Sequence, residues 1–261
     1  MKSQIGLLVY YYIYDNFIQD KRFEKEVQLI ENRLTDLGIA GKVARLALFR
    51  NAEEMIRDEV QRGVSTVVVV GNDETIRKVL DVIAESGLVF GLIPLGPHND
   101  LAQLLGIPLG VAACDILSSR IIETIDVGTI NGRRFITGIS IPNFSAEICC
   151  EDRYRVFPEG VGSLEVWNLS CGMTNDVNAV SNPCDGKLET IIRTRVRKGW
   201  NVLHRRRIHE SVLPLESFAI RSETPISVFA DGEEMTGTRF DIGVESMILR
   251  VITGRNRLFS S

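Results

Sequence analysis

Two short polar segments of the sequence carry residue types that bind phosphate groups in proteins. They read GNDET at residues 71–75 and GPHND at residues 96–100. Glycine lets backbone N–H groups approach a phosphate closely, and the start of a helix adds positive potential. A second interpretation is that both segments only begin helices, because Asp73 and Asn99 are good N-cap residues. Local composition leaves both interpretations open.

The elements that precede these segments are predicted to place them at one edge of a sheet. Thr66–Val70 is a continuous β-branched run, as expected for a strand buried on both faces, and Val89–Pro94 is a second strand-like apolar run. In open parallel sheets, ligands bind beyond the carboxyl ends of the strands. The sequence therefore predicts a ligand site formed by the two loops that follow these strands.

The first half of the chain alternates predicted strands and helices. Ile5–Tyr14 predicts a strand, and an apolar face that repeats every three or four residues predicts a helix ending at Gly38. A strand through Ala44–Leu48, a following helix and a helix over residues 74–86 continue the series. This rhythm predicts an α/β fold whose N-terminal lobe, residues 1–121, is a doubly wound parallel sheet.

The pattern changes near residue 122 to that of antiparallel strands. Asn131-Gly132 and Asp231-Gly232 are typical of two-residue hairpin turns between apolar runs. We therefore expect a mainly antiparallel β lobe over residues 122–261, with a cleft between the two lobes. The strand-like run near 248–253 is compatible with a return to the first lobe.

Composition indicates a globular protein in a reducing compartment. The 261 residues are 44% hydrophobic and 25% charged, and the formal net charge of −4 does not favour nucleic-acid binding. The five cysteines form no CxxC pair, and the three histidines assemble no zinc pattern. The longest uncharged apolar stretch, Ile5–Tyr14, is too short to span a bilayer. We expect a cytoplasmic protein.

Five segments are similar to motifs of the diacylglycerol kinase catalytic domain family, in that family's order. Residues 67–75 (VVVVGNDET) resemble its Val-Val-x-Gly-Gly-Asp-Gly-Thr loop. Residues 91–108 (GLIPLGPHNDLAQLLGIP) resemble its Pro-Leu-Gly-Thr-x-Asn-Asp segment. Residues 124–135 (TIDVGTINGRRF), 183–192 (PCDGKLETII) and 228–233 (VFADGE) resemble its later strand pair and two Asp-Gly segments. The chain is identified as a divergent member of this family.

The resemblance implies a lipid kinase that uses ATP and magnesium to phosphorylate a lipid hydroxyl, such as that of diacylglycerol. Asp73, Asp126 and Glu233 match the family's catalytic acidic residues. Asp185 matches an acidic position near an accessory magnesium site. The positions that match the nucleotide-binding loops are Gly71, Asn72, Asp73, Glu74, Thr75, Gly96, Asn99 and Asp100.

The nucleotide loops also depart from the family's pattern. Asn72 and Glu74 stand where the first motif has glycine, and Pro97 stands where the second has threonine. Val9–Asp15 stands where an Asn-Pro-x-Ser-Gly motif is expected. A glutamate brings negative charge toward a polyphosphate and blocks close backbone approach, so we expect Glu74 to be the main obstacle to nucleotide binding.

These departures leave more than one function open. The chain is either an active lipid kinase or a catalytically inactive member of the fold, a pseudokinase that acts as a binding or regulatory module. An NAD kinase or small-molecule kinase is a third alternative.

A cluster of seven basic residues lies within Arg193–Arg207, with Trp200 and Leu203 among them. One interpretation is a solvated face of a strand and its following loop. The other is a peripheral contact with an anionic membrane, because each basic residue near such a surface adds about 1 kcal/mol. Both interpretations stay open.

Overall fold

The computed structural model describes residues 9–46, 52–150, 154–158, 160–170, 181–196 and 207–259, without the side chains of 195, 196, 207 and 208. The chain divides into two compact units. Unit 1 is formed by Met1–Ile125 with Ile248–Ser260, and unit 2 by Asp126–Met247.

Unit 1 is built on a parallel sheet. Its order is β2-β1-β3-β4, followed by the end of β14, and every pairing in it is parallel. All residues of β3 and β4 are buried, which explains their unbroken apolar character. The predicted parallel core is confirmed. These strands are β1 (Tyr10–Tyr14), β2 (Lys42–Arg45), β3 (Thr66–Gly71), β4 (Val89–Pro94) and β14 (Glu233–Ile252).

Within the described part of the chain, six α-helices and two short 3-10 helices connect and cover this sheet. Helix α1 contacts α6, and α2 contacts α4. Among the residues that the structure describes, no helix is long and apolar enough to cross a membrane. The helices are α1 (Lys21–Asp36), α2 (Ala52–Gln61), α3 (Asp73–Arg77), α4 (Leu80–Ser86), α5 (Asp100–Leu104) and α6 (Ala113–Ser119), and the 3-10 helices are Asn16–Gln19 and Gly110–Ala112.

The helix predicted over residues 74–86 is wrong as a single element, because the structure has two helices there. Val79, between α3 and α4, has φ −126° and ψ −4°, which is not helical. Its N–H donates to the Ile76 carbonyl at 3.0 Å, a tightened turn that closes α3. The Val79 side chain is fully buried, so packing against the core sets the break.

Unit 2 is built on antiparallel strands, and the antiparallel character predicted for the second lobe is confirmed. Its main order is β12-β11-β10-β7-β13-β14, with β5–β6 and β8–β9 as side pairs. Its core contains the buried side chains of Phe135, Phe144, Ile220 and Phe240. The strands are β5 (Ile122–Ile130), β6 (Arg133–Phe135), β7 (Gly138–Phe144), β8 (Glu147–Cys150), β9 (Tyr154–Val156), β10 (Gly162–Trp167), β11 (Leu188–Val196), β12 (Arg207–Leu215) and β13 (Ser217–Ala230).

Both predicted hairpin turns are confirmed. Asn131 and Gly132 have φ of 48° and 79°, and Asp231 and Gly232 have φ of 46° and 81°. Two successive positive φ angles define the turn that matches the twist of a two-residue hairpin. These turns join β5 to β6 and β13 to β14.

Candidate functional site

The loop after β3 begins α3 with a capping box. Asn72 has extended backbone angles, and its side chain accepts a hydrogen bond from the Thr75 N–H at 3.2 Å. The Asn72 N–H in turn donates to Thr75 Oγ1 at 3.2 Å. Asn72 is therefore the N-cap, and the expectation that Asp73 caps this helix is wrong. Asp73 is the first helical residue, and its N–H donates to the His98 carbonyl at 3.0 Å.

The loop after β4 depends on a glycine and an asparagine. Gly96 has φ +78°, and a Cβ there would lie 2.8 Å from the ring of Phe17, so a side chain would be both strained and crowded. Asn99 stands at the N-cap of α5 without capping it, and its Nδ2 donates to the Gly96 carbonyl at 2.7 Å. Its Oδ1 is buried with no hydrogen-bond partner among the described residues.

Hydrogen bonds join these two loops. The Asp100 N–H donates to Asp73 Oδ2 at 2.8 Å, and Asn72 Nδ2 donates to the Pro97 carbonyl at 3.1 Å. The Asp73 N–H donates to the His98 carbonyl at 3.0 Å, and the Leu95 N–H donates to the Gly71 carbonyl at 2.8 Å. The Asp73 carboxylate therefore lies at the first residue of α5. The structure thus brings the predicted nucleotide-side residues together at the carboxyl ends of β3 and β4.

Asn72, rather than Glu74, occupies the helix start that a phosphate would need. The Glu74 side chain is exposed. The Oδ1 of Asn72 is the atom that accepts the Thr75 N–H. The expectation that Glu74 is the main obstacle stays a prediction, and the bond from the Thr75 N–H to Asn72 is a second candidate obstacle.

Asp15 is a site residue that the sequence reasoning missed. It follows β1, is 5% exposed, and its Oδ2 accepts hydrogen bonds from Thr75 Oγ1 at 2.8 Å and Lys78 Nζ at 2.9 Å. Burial alone would raise the pKa of Asp15, but the hydrogen bonds from Lys78 and Thr75 outweigh burial and hold that pKa below its ordinary value. Its position at the carboxyl end of a parallel strand was the signal that could have found it.

A cavity of about 600 Å³ lies beside Asp15 in unit 1. The Tyr14 side chain lines it and is 2% exposed, and its hydroxyl has no hydrogen-bond partner among the described residues. Burial, reinforced by the charge of Glu31, raises the pKa of Tyr14, so the hydroxyl stays neutral. The other polar residues that line the cavity include Lys21, Gln28, Glu31 and Arg45.

In unit 2, Asp126 is fully buried. One carboxylate oxygen accepts the Gly186 N–H and the other accepts the Met247 N–H, each at 2.7 Å. The catalytic role of Asp126 stays a prediction. A substrate proton would have to compete with the backbone N–H groups that both of its carboxylate oxygens already accept.

Two acidic residues at the turn between β13 and β14 differ in their hydrogen bonding and exposure. Asp231 accepts hydrogen bonds from the N–H groups of Ile136 and Thr137 at 2.8 Å and from that of Gly138 at 3.1 Å. Glu233 is exposed and pairs with Arg133 at 3.3 Å. Of the two, Glu233 is the carboxylate that a substrate can reach.

The predicted magnesium ligand Asp185 lies on an exposed turn, where its side chain accepts the Lys187 N–H at 3.0 Å. Within the described part of the chain, no group of three or more His, Cys, Asp or Glu residues could hold a metal ion. Nearby Glu189 is partly buried, and burial, with a smaller effect of Asp185, raises the pKa of Glu189 to about 7. The metal-binding role of Asp185 stays a prediction.

The basic cluster Arg193–Arg207 lies largely outside the described side chains. Arg193 is described, and its guanidinium pairs with Glu165 at 2.6 Å and with Glu210 at 2.7 Å. Both carboxylates neutralise it, so Arg193 is not a residue that can bind an anionic surface.

Comparison with known proteins gives a family match over part of the chain. The sequence model of the diacylglycerol kinase catalytic domain matches residues 10–130. That range contains both nucleotide-side loops and Asp126. It also contains Asp15 and the cavity beside it.

Relatives with assigned names match parts of this chain. A probable lipid kinase YegS-like protein of Pseudomonas aeruginosa is 34% identical over 90 residues, 33% of this chain and 29% of that protein. A diacylglycerol kinase of Mycobacterium tuberculosis is 31% identical over 124 residues, 40% of each chain. The chain therefore spans well under half the length of these curated relatives.

The fold is shared over a longer range. A diacylglycerol kinase structure from Bacillus anthracis superposes with a TM-score of 0.75 and 16% sequence identity, covering 98% of this chain and all of the other. At that identity the likeness concerns the fold. Over residues 10–130, just under half of its length, the chain is similar to the diacylglycerol kinase catalytic domain family.

Proposed function

We propose that this chain is a lipid kinase, transferring a phosphoryl group from a magnesium-bound nucleotide to a lipid hydroxyl such as that of diacylglycerol. The observation that carries the proposal is the joining of the two loops in unit 1, where the Asp100 N–H donates to Asp73 Oδ2. It gathers two acidic residues and Asn99 at the edge of a parallel sheet, where such folds bind ligands.

The residues of unit 1 fit a magnesium-bound nucleotide in two respects. Magnesium is usually held by one or two carboxylates together with substrate phosphates, and Asp73 and Asp100 supply such a pair. The cavity of about 600 Å³ beside Asp15 has the size of a small-ligand site, and it is lined by Tyr14, whose hydroxyl has no hydrogen-bond partner among the described residues. We expect the nucleoside to bind there and the metal to bind at Asp73 and Asp100.

The phosphate-binding loop fits less well. The Thr75 N–H is bonded to Asn72, and the Asp73 N–H is bonded to His98. A phosphate must compete with these internal bonds, so we expect nucleotide binding to be weak.

The acceptor hydroxyl needs a base during transfer. Glu233 is exposed, whereas both carboxylate oxygens of Asp126 accept backbone hydrogen bonds. We therefore assign the base role to Glu233. The nucleotide supplies the phosphoryl group, and the chain's own contribution is to orient the two substrates and to accept the proton.

A second candidate function is that of a non-catalytic binding or regulatory module. The capping box of Asn72 and Thr75 favours it, because the loop is complete without a ligand. Phe17 also packs against Gly96, which covers part of the second loop.

A calorimetric titration of the purified protein with magnesium-ATP separates the two candidates. The lipid kinase predicts measurable binding that weakens in Asp73→Asn and is unchanged in Asp58→Asn, a control at an exposed position of α2. Absence of binding in the wild-type protein would support the non-catalytic module.

A further inference from the structure

Backbone N–H groups at the start of α3 have partners within the protein. The Asn72 N–H donates to Thr75 Oγ1 and the Thr75 N–H donates to Asn72 Oδ1, each at 3.2 Å. The Asp73 N–H donates to the His98 carbonyl at 3.0 Å. The carboxylates of Asp73 and Glu74 add negative charge to the same turn. A polyphosphate at this loop therefore needs positive charge from a side chain.

Lys78 brings a positive charge to this part of unit 1. It is the C-cap residue of α3, a helix of only five residues, so it follows Asn72 by less than about two helical turns. Its Nζ donates to Asp15 Oδ2 at 2.9 Å, and the same oxygen accepts the Thr75 hydroxyl at 2.8 Å. One carboxylate oxygen thus joins the Lys78 ammonium to the loop after β3.

The Lys78 ammonium is held by a buried group and still open to solvent. The Lys78 side chain is 52% exposed, whereas that of Asp15 is 6% exposed. An ammonium has three N–H donors, and one of them donates to Asp15. The ammonium therefore keeps donors with which it can bind an anion that arrives from solvent.

Asp15 is itself fixed on both its backbone and its side chain. Its N–H donates to the Val70 carbonyl at 3.1 Å, and its Oδ1 accepts the Phe17 N–H at 3.3 Å. Asp15 follows β1, and Val70 belongs to β3, which pairs with β1 in parallel. The carboxylate that holds Lys78 therefore lies at the carboxyl ends of two neighbouring parallel strands, the edge at which such sheets bind ligands.

We propose that Lys78 binds the phosphate groups of the nucleotide and that Asp15 is its positioning residue. Lys78 supplies the positive charge that the loop lacks, and Asp15 holds the ammonium beside Thr75 before the ligand binds. This assignment rests on the proposed function, because it concerns the same nucleotide site. The alternative role of Lys78 is only to neutralise the buried carboxylate of Asp15.

The pair of Lys42 and Glu59 provides a matched control. Lys42 is 54% exposed and pairs with Glu59, whose side chain is 8% exposed, so the burial of this pair resembles that of Lys78 and Asp15. Lys42 is the first residue of the parallel strand β2, so it lies at the amino end of that strand, away from the ligand edge. Glu59 also pairs with Arg62 and stays compensated when Lys42 is replaced.

Calorimetric titration with magnesium-ATP and with magnesium tripolyphosphate tests the assignment. Lys78→Gln should bind both ligands at least about tenfold more weakly than the wild type, the expected effect of losing one hydrogen bond to a charged group. Lys78→Arg should recover most of the lost affinity, because it restores the positive charge. Lys42→Gln should bind both ligands as the wild type does.

The double variant Asp15→Asn with Lys78→Gln separates phosphate binding from neutralisation of Asp15. It leaves no buried charge without a partner at this position, so a loss of affinity cannot be assigned to an uncompensated carboxylate. If Lys78 binds phosphate, the double variant should still bind both ligands more weakly than the wild type.

The outcomes distinguish this assignment from the proposed function. Wild-type affinity in the double variant or in Lys78→Gln would overturn the role of Lys78 and leave the proposed lipid kinase in place. Tripolyphosphate binding that depends on Lys78, in a protein that phosphorylates no lipid, would support the role of Lys78 and contradict the lipid kinase. A wild-type protein that binds neither ligand would overturn both.

Discussion

At the scale of single residues, Asn72 determines the hydrogen bonding of the loop after β3. Sequence comparison with the family motif predicted the loop and its acidic residue, and Asp73 does meet the second loop at Asp100. It could not predict that Asn72 would cap Thr75, because a capping bond depends on backbone angles that the motif does not encode. Asp15 was missed because the family motif expected at the end of β1 is absent from this chain, so no matching residue pointed to it.

Replacing Asn72 should improve nucleotide binding. Asn72→Gly removes the acceptor of the Thr75 N–H, which then becomes available to a phosphate oxygen. We expect magnesium-ATP to bind about tenfold more tightly, since a hydrogen bond to a charged group contributes about 1.5 kcal/mol. Asn72 is buried and its Nδ2 also donates to the Pro97 carbonyl, so the cost in stability should be about 1–3 kcal/mol. Calorimetric titration with magnesium-ATP in one buffer measures the affinity of the wild type and of the variant.

Glu74→Gly is the matched control for this substitution. Glu74 is exposed, so its removal should change the affinity much less than the removal of Asn72. An equal gain from Glu74→Gly would restore the original expectation that its charge is the main obstacle.

Asp15 should make stability depend on pH in the acid range. Its pKa is lower in the folded protein than in the unfolded chain, so its contribution is present above about pH 4 and is lost as pH falls through the folded value. Asp15→Asn should lower the free energy of unfolding at pH 7 by about 1–3 kcal/mol, with a smaller difference from wild type at pH 3. Denaturant unfolding at both pH values checks this, and a constant difference would argue against it.

At the scale of elements, local patterns were informative where a turn or a buried run fixed the backbone. Asn131-Gly132 and Asp231-Gly232 located two hairpins because their residues accept positive φ. Strand β12 was missed, because its sequence RIHESVLPL mixes charges with a proline and is recognisable only through its pairing with β11. The break at Val79 was missed for a similar reason, since it follows from burial of that side chain.

The packing of the first 3-10 helix on the second loop can be tested at Gly96. Gly96→Ala and Gly87→Ala both place a side chain at positive φ, but only the Cβ at Gly96 would collide with Phe17, at 2.8 Å. We expect Gly96→Ala to lower the free energy of unfolding by about 1–3 kcal/mol more than Gly87→Ala. Equal losses would mean that Phe17 moves away at no cost.

At the scale of the whole molecule, the sequence predicted the change from parallel to antiparallel strands near residue 122. The sequence was compatible with the pairing of Arg250 and Val251 with β4 but did not predict it. A strand that returns to a distant partner leaves no periodic signal. The same holds for Asp126, whose partners Gly186 and Met247 are 60 and 121 residues away.

Membrane contact through the basic cluster remains a prediction, because most of the side chains in the cluster lie outside the described residues. Arg205, Arg206 and Arg207 are the residues to change, because Arg193 is paired with two glutamates. Replacing all three with glutamine should reduce co-sedimentation with anionic vesicles, and salt should weaken the wild-type binding because it screens exposed charges. Arg22→Gln, in the first turn of α1, is the control. Equal binding of the triple variant and the wild type to the vesicles would contradict the predicted membrane contact.

The most direct test of the proposed lipid kinase is transfer of labelled phosphate from γ-labelled ATP to diacylglycerol in mixed micelles with magnesium. The wild-type protein should produce labelled lipid, and Asp73→Asn and Glu233→Gln should each lower the rate by about a hundredfold or more. Asp58→Asn should match the wild type. A wild-type protein that binds magnesium-ATP yet labels no lipid, or labelling that survives both substitutions, would contradict the proposal.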